Sequence, residues 1–373
     1  MGVQISFATP ADDADIRGLL RREPIPGRIA ISYEREPDFS IGCDATGENA
    51  AVLVARDMDT GDTVGVACRS EREVYVNSAP VRLGYLGQLR IDRRYRGRWL
   101  VSRGYSLLKS LHDRDPVPGY LAALTADNRE AEGILVRKSR KRFPAFSPVA
   151  DYCTLALRVR RSTRAAGVVA TGVAPASRDD IPDIVRFLGT EGRRRQFFPV
   201  WSEAKLIALT RRLGLRLEDL HIARRNGSIA GVMGLWDQSA YKQNVVRSYS
   251  GWMRLAAAVD SGAAWLGGPR LPGFRLPKTG EKIRNGYAAF VAIAEDDTVV
   301  FRDLLAAVSA RAAACGLDYL LLGLDARDPL LPAARERPHV LYRSRLFLAE
   351  WPDGGHLHAQ LDSRPTYVEI ATL

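Results

Sequence analysis

Residues 89–102 read Leu89-Arg90-Ile91-Asp92-Arg93-Arg94-Tyr95-Arg96-Gly97-Arg98-Trp99-Leu100-Val101-Ser102. Apolar alternation at its start predicts a strand, the arginine-rich centre with Gly97 a turn, and Leu100 onward a helix. A helix entered in this way presents about four unpaired backbone N–H groups and a partial positive charge, which suits a diphosphate. Arg90, Arg93, Arg94, Arg96 and Arg98 add positive potential around that point.

Outward from this stretch, strands are expected at Val3–Ala8, Ala50–Arg56, Thr63–Arg69, Val74–Asn77 and Val81–Ile91, with a helix at Ala11–Arg22. Leu100–His112 follows as a helix, with Leu100, Leu107, Leu108 and Leu111 read as core positions. Tyr120–Leu124 is a strand, Arg129–Lys141 a helix and Tyr152–Val159 a closing strand. Arg160–Gly167 is the linker candidate, and after it the order restarts. Val168–Ala174 is a strand, Ile181–Leu188 and Glu203–Arg212 are helices, and His221–Arg225 with Ile229–Trp236 form a hairpin about Asn226-Gly227. Ala288–Ile293, Tyr319–Leu324, Arg345–Trp351 and Thr366–Thr372 are strands, and Phe301–Cys315 a helix. The turn-rich segment 265–280 is either a cover for a site or an irregular connection.

The stretch Leu89–Val101 resembles the cofactor-binding motif of the GCN5-related N-acetyltransferase (GNAT) family. There a strand ending L-x-V-x-P-x-Y-R precedes a Gly-rich turn into a helix. Asn128-Arg129-Glu130-Ala131 matches a second family element, N-x-x-A, after the next strand. The resemblance covers most of residues 1–160. It implies an α/β (α+β) fold of two tandem GNAT-like domains, each a mixed central sheet flanked by helices. Residues 1–160 would be the acyl-CoA-binding domain, and 168–373 a divergent copy matched by element order alone.

What the resemblance implies for the site follows residue by residue. The backbone of Leu89, Arg90 and Ile91 would pair with the pantetheine arm. Arg96, Gly97, Arg98, Trp99, Leu100, Val101 and Ser102 would cradle the diphosphate of acetyl-CoA or another acyl-CoA, and Asn128 would complete the site. The basic run Arg137–Arg142 would reach a 3′-phosphate. Trp99 and Val101 stand where the family has small residues, so they either crowd the cofactor or turn away with their N–H groups available. Ala123 and Leu135 occupy positions where members often carry a glutamate and a tyrosine. Tyr85 is the remaining catalytic candidate, a poor base with an ordinary pKa of about 10, and Glu71, Glu73 and Asp92 are alternatives.

The equivalent of the cradle in the second half is Ala294-Glu295-Asp296-Asp297-Thr298, whose acids oppose a diphosphate and suit helix capping. That half is therefore expected to bind no CoA. The aromatic and polar segment Leu235–Lys242 is a candidate wall of an acceptor pocket.

The 373 residues, 46% hydrophobic and 26% charged, describe a globular chain without a membrane-spanning run or a secretory leader, expected to be cytoplasmic. Four dispersed cysteines argue for buried thiols rather than zinc or disulfides. The pair His356 and His358 has the spacing of one strand face, but with no third ligand near, surface histidines are the expected reading rather than metal ligands. The net charge of +11 favours anionic partners, but only seven of 54 basic residues are lysine, so nucleic acid is not the expected partner. The expected activity is acyl transfer from acetyl-CoA to the amine of a small molecule or peptide, without a metal. Two alternatives stand: a catalytically silent binder of a ligand or partner, and a transferase using a longer acyl-CoA or acyl carrier protein, which the basic surface would dock.

Overall fold

The computed structural model describes residues 2–97, 99–126, 128, 132–133, 143–159, 172–251 and 277–373. The first half runs β1 (Val3–Phe7), α1 (Asp13–Arg22), β2 (Ile29–Glu34), α2 (Phe39–Thr46), β3 (Glu48–Asp57), β4 (Thr63–Val76) and β5 (Ala79–Ile91). It continues through α3 (Leu100–His112), β6 (Tyr120–Thr125) and β7 (Ala145–Arg158). The second half runs β8 (Val173–Pro175), α4 (Ile181–Gly192), α5 (Glu203–Arg212), β9 (Leu220–Arg225), β10 (Ser228–Trp236) and β11 (Gln243–Tyr249). It ends with β12 (Asn285–Ile293), α6 (Thr298–Ala314), β13 (Tyr319–Asp325) and β14 (His339–Glu350).

The fold is mixed α/β. Among the described residues, twelve strands form one sheet in the order β1-β3-β4-β5-β6-β14-β7-β13-β12-β10-β9-β8. Strand β14 pairs antiparallel with β6 on one side and β7 on the other, so a strand from the end of the chain sits between two strands of the first half. β2 and β11 lie apart as a two-stranded ribbon, one strand from each half, in antiparallel register from Glu34↔Gln243 to Ile29↔Tyr249.

Helix α3 forms where its apolar spacing predicts, burying Leu100 and Leu108, with Lys109 and His112 in its last turn, where cations are favoured. Leu108 packs in a cluster with Leu53, Phe146, Phe347 and Trp351. Its position is therefore set by contacts with β3, β7 and β14.

Two expectations are corrected, and the histidine pair is placed. Thr63–Arg69 and Val74–Asn77 are one strand, β4, because the charges of its polar middle find partners on folding: Arg69 and Glu71 are a buried ion pair, and Arg72 donates to Thr46 O. Thr366–Thr372 is no strand; Gln196 and Thr366 form an isolated bridge, and Ile370–Thr372 is a 3₁₀ turn whose Ala371 N–H is accepted by Glu369. His356 and His358 do not share a strand face. His356 caps a short helix in the left-handed region (φ +52°), and His358 Nε2 lies 3.1 Å from Pro148 O. Most of helix Arg129–Lys141, the basic run 137–142, the linker 160–167 and most of segment 265–280 lie outside the described residues. Cys43, Cys68 and Cys153 are buried free thiols, while Cys315 is half-buried.

Candidate functional site

The site begins where β5 and β6 part. They pair in parallel only at Gly84↔Tyr120 and Tyr85↔Leu121, although β5 continues to Ile91 and β6 to Thr125. Opposite β4 the register of β5 shifts between Cys68↔Gly87 and Val66↔Arg90, and Gln88 takes φ +57°. Such a bulge bends a strand and re-aims its side chains. α3 starts beside the gap with no side-chain cap and no acid in its first turn. A helix N-terminus of this kind favours an anion.

Gly97 has φ +79° with open space where a Cβ would stand, and Trp99 has φ +60° and is 65% exposed. Trp99 is thus largely in solvent and does not line the adjoining cavity, whereas Val101 does. Arg98 lies outside the described residues.

A cavity of about 1310 Å³ runs from this gap across the sheet. Tyr85, Leu89, Arg90, Ile91, Arg96, Leu100, Val101 and Asn128 line it; Gly97, Trp99 and Ser102 do not. Ser102 Oγ donates to Trp99 O at 2.8 Å. Arg96 reaches Glu23 Oε2 at 3.2 Å, and Arg90 donates to Leu89 O at 2.7 Å. The floor comes from both halves, with Leu53, Cys68, Leu124, Ala156, Tyr287, Leu321 and Leu341 among its residues. The β2–β11 ribbon contributes alternate residues, Ile29, Ile31, Tyr33 and then Arg35 from one strand and Asn244 and Val246 from the other. Period-two alternation puts these on one face of the ribbon, facing the cavity.

No protein family and no curated protein matches the sequence. The fold is similar over 94% of this chain to that of Saccharomyces cerevisiae N-myristoyltransferase with bound myristoyl-CoA, of which it covers 79% (TM-score 0.61, 10% identity). A GCN5-related N-acetyltransferase from Sphaerobacter thermophilus aligns with 100% of this chain and 98% of its own (TM-score 0.56, 12% identity). A GCN5-related glucosamine N-acetyltransferase region of a fungal multi-domain GH3 β-N-acetylglucosaminidase aligns with 93% of this chain and 38% of its own (TM-score 0.57, 13% identity). The structure has a GNAT-like fold. At these identities the likeness is one of fold.

The second half repeats the local plan of the GNAT-like gap and closes it. β12 and β13 pair in parallel only from Asn285↔Tyr319 to Tyr287↔Leu321, and Phe290 takes φ +57°, as Gln88 does in β5. Here Asp297 caps α6, accepting from Val299 N at 2.8 Å and Val300 N at 3.2 Å. Asp296 pairs with Arg195, and Glu295 with Arg194 at 3.3 Å. A cavity of about 10 Å³ lies beside Ile293 and Asp296.

Of the acid and base candidates, Tyr85 lines the cavity and is 8% exposed, with the Arg72 guanidinium over its ring at 5.5 Å. Burial raises its hydroxyl pKa, so it stays protonated and can donate. Glu71, Glu73 and Asp92 do not line the cavity. Glu71 pairs with Arg69, Glu73 lies 4.0 Å from Lys205, and Asp92 accepts from Arg94 N at 3.0 Å.

Segment Leu235–Lys242 contributes differently than expected. Trp236 is buried with Nε1 donating to Leu213 O at 2.9 Å, and of the segment Lys242 alone lines the cavity. Lys242 Nζ donates to Ala371 O at 3.2 Å and Leu373 O at 2.9 Å and lies 4.6 Å from the Tyr287 ring centroid. Burial lowers its pKa well below the ordinary lysine value, favouring the neutral amine. Tyr33, Arg35 and Asn244 were not singled out from sequence. The alternation of Ile29-Ala30-Ile31-Ser32-Tyr33 was the available signal for β2. Among the described residues there is no group of three or more metal-ligating side chains and no helix long and apolar enough to cross a membrane.

Proposed function

We propose that the protein is a CoA-dependent N-acyltransferase whose acyl-CoA site lies in the first half. One observation carries this: the gap between β5 and β6, the uncapped start of α3 and the apolar cavity are continuous. In this reading the backbone of Leu89–Ile91 pairs with the pantetheine amides, as in strand addition. The N–H groups at the start of α3, together with Arg90 and Arg96, hold the diphosphate, and Asn128 closes the far side. Residues 168–373 act as the divergent copy, building the other wall of the cavity rather than a second CoA site.

A bound acyl-CoA supplies a thioester: the acceptor amine forms the new N–C bond, the C–S bond breaks, the amine loses a proton and the departing thiolate gains one. Lys242 is the base on this reading, because burial favours its unprotonated form. Tyr85 is the donor, because burial keeps its hydroxyl intact. The size of the cavity and its walls, among them Leu53, Leu86, Leu124, Phe146 and Leu341, favour an acyl group longer than acetyl. An acetyl group leaves most of this apolar wall against water.

Thermal shift with CoA, acetyl-CoA and octanoyl-CoA, alongside release of free CoA thiol, tests the reading. A ligand at a hundredfold excess over its Kd adds about 2.7 kcal/mol of stability. Absence of a shift with all three refutes the acyl-CoA site. A shift without thiol release in the presence of any amine supports the silent binder.

A further inference from the structure

Resting on this acyltransferase reading, the cavity also carries information about the acceptor. Arg35 follows β2 and is 2% exposed, and its side chain lies on the cavity wall. Its single hydrogen bond among the described residues is Nη1 to Glu34 O at 3.2 Å, and no carboxylate pairs with it. Room for its stem exists because residue 42 is glycine: a Cβ there would stand 2.4 Å from Arg35 Cδ.

Nearby acids are already committed. Glu34 accepts from Ser32 Oγ at 2.7 Å and pairs with Arg247. Glu369 accepts from Phe290 N at 2.8 Å and the Tyr367 hydroxyl at 2.9 Å. The titratable groups that act most strongly on Arg35 are Tyr287, Cys43, Cys68 and Tyr85, all neutral at neutral pH in their ordinary states. A guanidinium cannot shed its proton in the working pH range, so its charge stays on the wall, and burial without a partner is costly.

A second orphan lies on the same wall. Asn244 Nδ2 donates to Asn285 Oδ1 at 3.0 Å, but Asn244 Oδ1 is buried with no hydrogen-bond partner among the described residues. Buried polar atoms are ordinarily satisfied, so an unpaired acceptor on a cavity wall needs a donor from what enters the cavity.

We propose that the acceptor is a carboxylate-bearing amine, an amino acid with an apolar side chain, whose carboxylate pairs with Arg35 and whose N–H group donates to Asn244 Oδ1. One fixed guanidinium balances one negative charge. A carboxylate matches it in charge and in planar fork geometry. The side chain of the amino acid occupies the apolar remainder of the cavity.

The test uses the full chain, with octanoyl-CoA as donor and matched amine pairs as acceptors: leucine against 3-methylbutylamine, phenylalanine against 2-phenylethylamine, and phosphoethanolamine as the phosphate arm. Calorimetry of each amine without donor runs in parallel. We expect the carboxylated member to be preferred by roughly a hundredfold or more in kcat/KM, the scale of losing one partner of a buried charge pair. Arg35→Met abolishes that preference while the octanoyl-CoA thermal shift persists. Gly42→Ala, which displaces the Arg35 stem, and Asn244→Ala each reduce it.

Equal use of the members of each pair, or preference for phosphoethanolamine, overturns the proposal, and so does calorimetry that detects no carboxylated amine. If Arg35→Met fails to fold, the wild-type preference and the Gly42→Ala and Asn244→Ala variants decide the matter. Loss of the octanoyl-CoA shift in the wild type refutes the underlying acyltransferase reading instead, and binding of leucine or phenylalanine without donor then still judges the Arg35 site.

Discussion

Acyl-chain length is the perturbation that reads the cavity most directly. The chamber of about 1310 Å³ is continuous with the gap between β5 and β6, so a chain entering with the thioester meets apolar wall rather than solvent. Burying one methylene stabilises by about 0.8 kcal/mol, which is roughly a fourfold gain in affinity. From acetyl to octanoyl the six added methylenes are worth about 5 kcal/mol at most. Ordering the chain offsets part of this, leaving about two- to fourfold per methylene. Calorimetry of the acetyl-, butyryl-, hexanoyl- and octanoyl-CoA series measures the slope. Ala123 lies on the wall beside the gap. Ala123→Phe is expected to move the optimum to shorter chains while acetyl-CoA binding is retained. Affinity that stays flat or falls from acetyl to octanoyl refutes the reasoning, because it means the apolar chamber does not receive the chain.

Gly84→Val drives a Cβ to within 2.0 Å of Tyr120 Cδ1 at the first of the two paired positions of β5 and β6. Overpacking there is expected to cost about 1–3 kcal/mol, read from the urea midpoint. Asp297→Ala removes the acceptor of two α6 N–H groups and is expected to cost about 1 kcal/mol by the same assay. His112 is buried against Tyr120, with Nδ1 2.9 Å from its hydroxyl, and burial lowers the imidazole pKa. The unfolded chain therefore binds this proton first: stability is complete above the unfolded value of about 6.5 and declines as pH falls from there toward the lowered folded value. His112→Phe should flatten that part of the Tm–pH curve; an unchanged slope assigns it to other groups, such as His221, whose pKa burial also lowers. Lys242→Met should abolish thiol release while preserving the octanoyl-CoA thermal shift, and unimpaired turnover removes Lys242 from the role of base.

Elements with strong local signals were legible from sequence. The bounds of α3 and α5 coincide with those expected, because each combines a regular apolar stripe with cations in its last turn, and α5 adds the Ser202 cap. β5 was legible from its apolar alternation; of the predicted site residues, Tyr85, Leu89, Arg90, Ile91, Arg96, Leu100, Val101 and Asn128 line the cavity, while Gly97, Trp99 and Ser102 do not. What escaped were pairings between distant segments. β2 finds its partner in β11, more than 200 residues away, and neither is bounded by a hairpin turn that would announce it. The polar interruption in β4 concealed a continuous strand because the partners of its charges are visible only after folding.

The sequence by itself determined the strand-turn-helix at 89–102 and the acids at 295–297 ahead of α6, since these follow from periodicity, capping and charge within a few residues. Tertiary structure alone decided that β14 enters between β6 and β7 and that β2 and β11 form a ribbon over one shared chamber. It also decided that Arg35 is left buried without an acid. The physical reason is common to all three: a cavity wall and an unpaired charge are properties of which surfaces meet, and local propensity carries no record of that meeting.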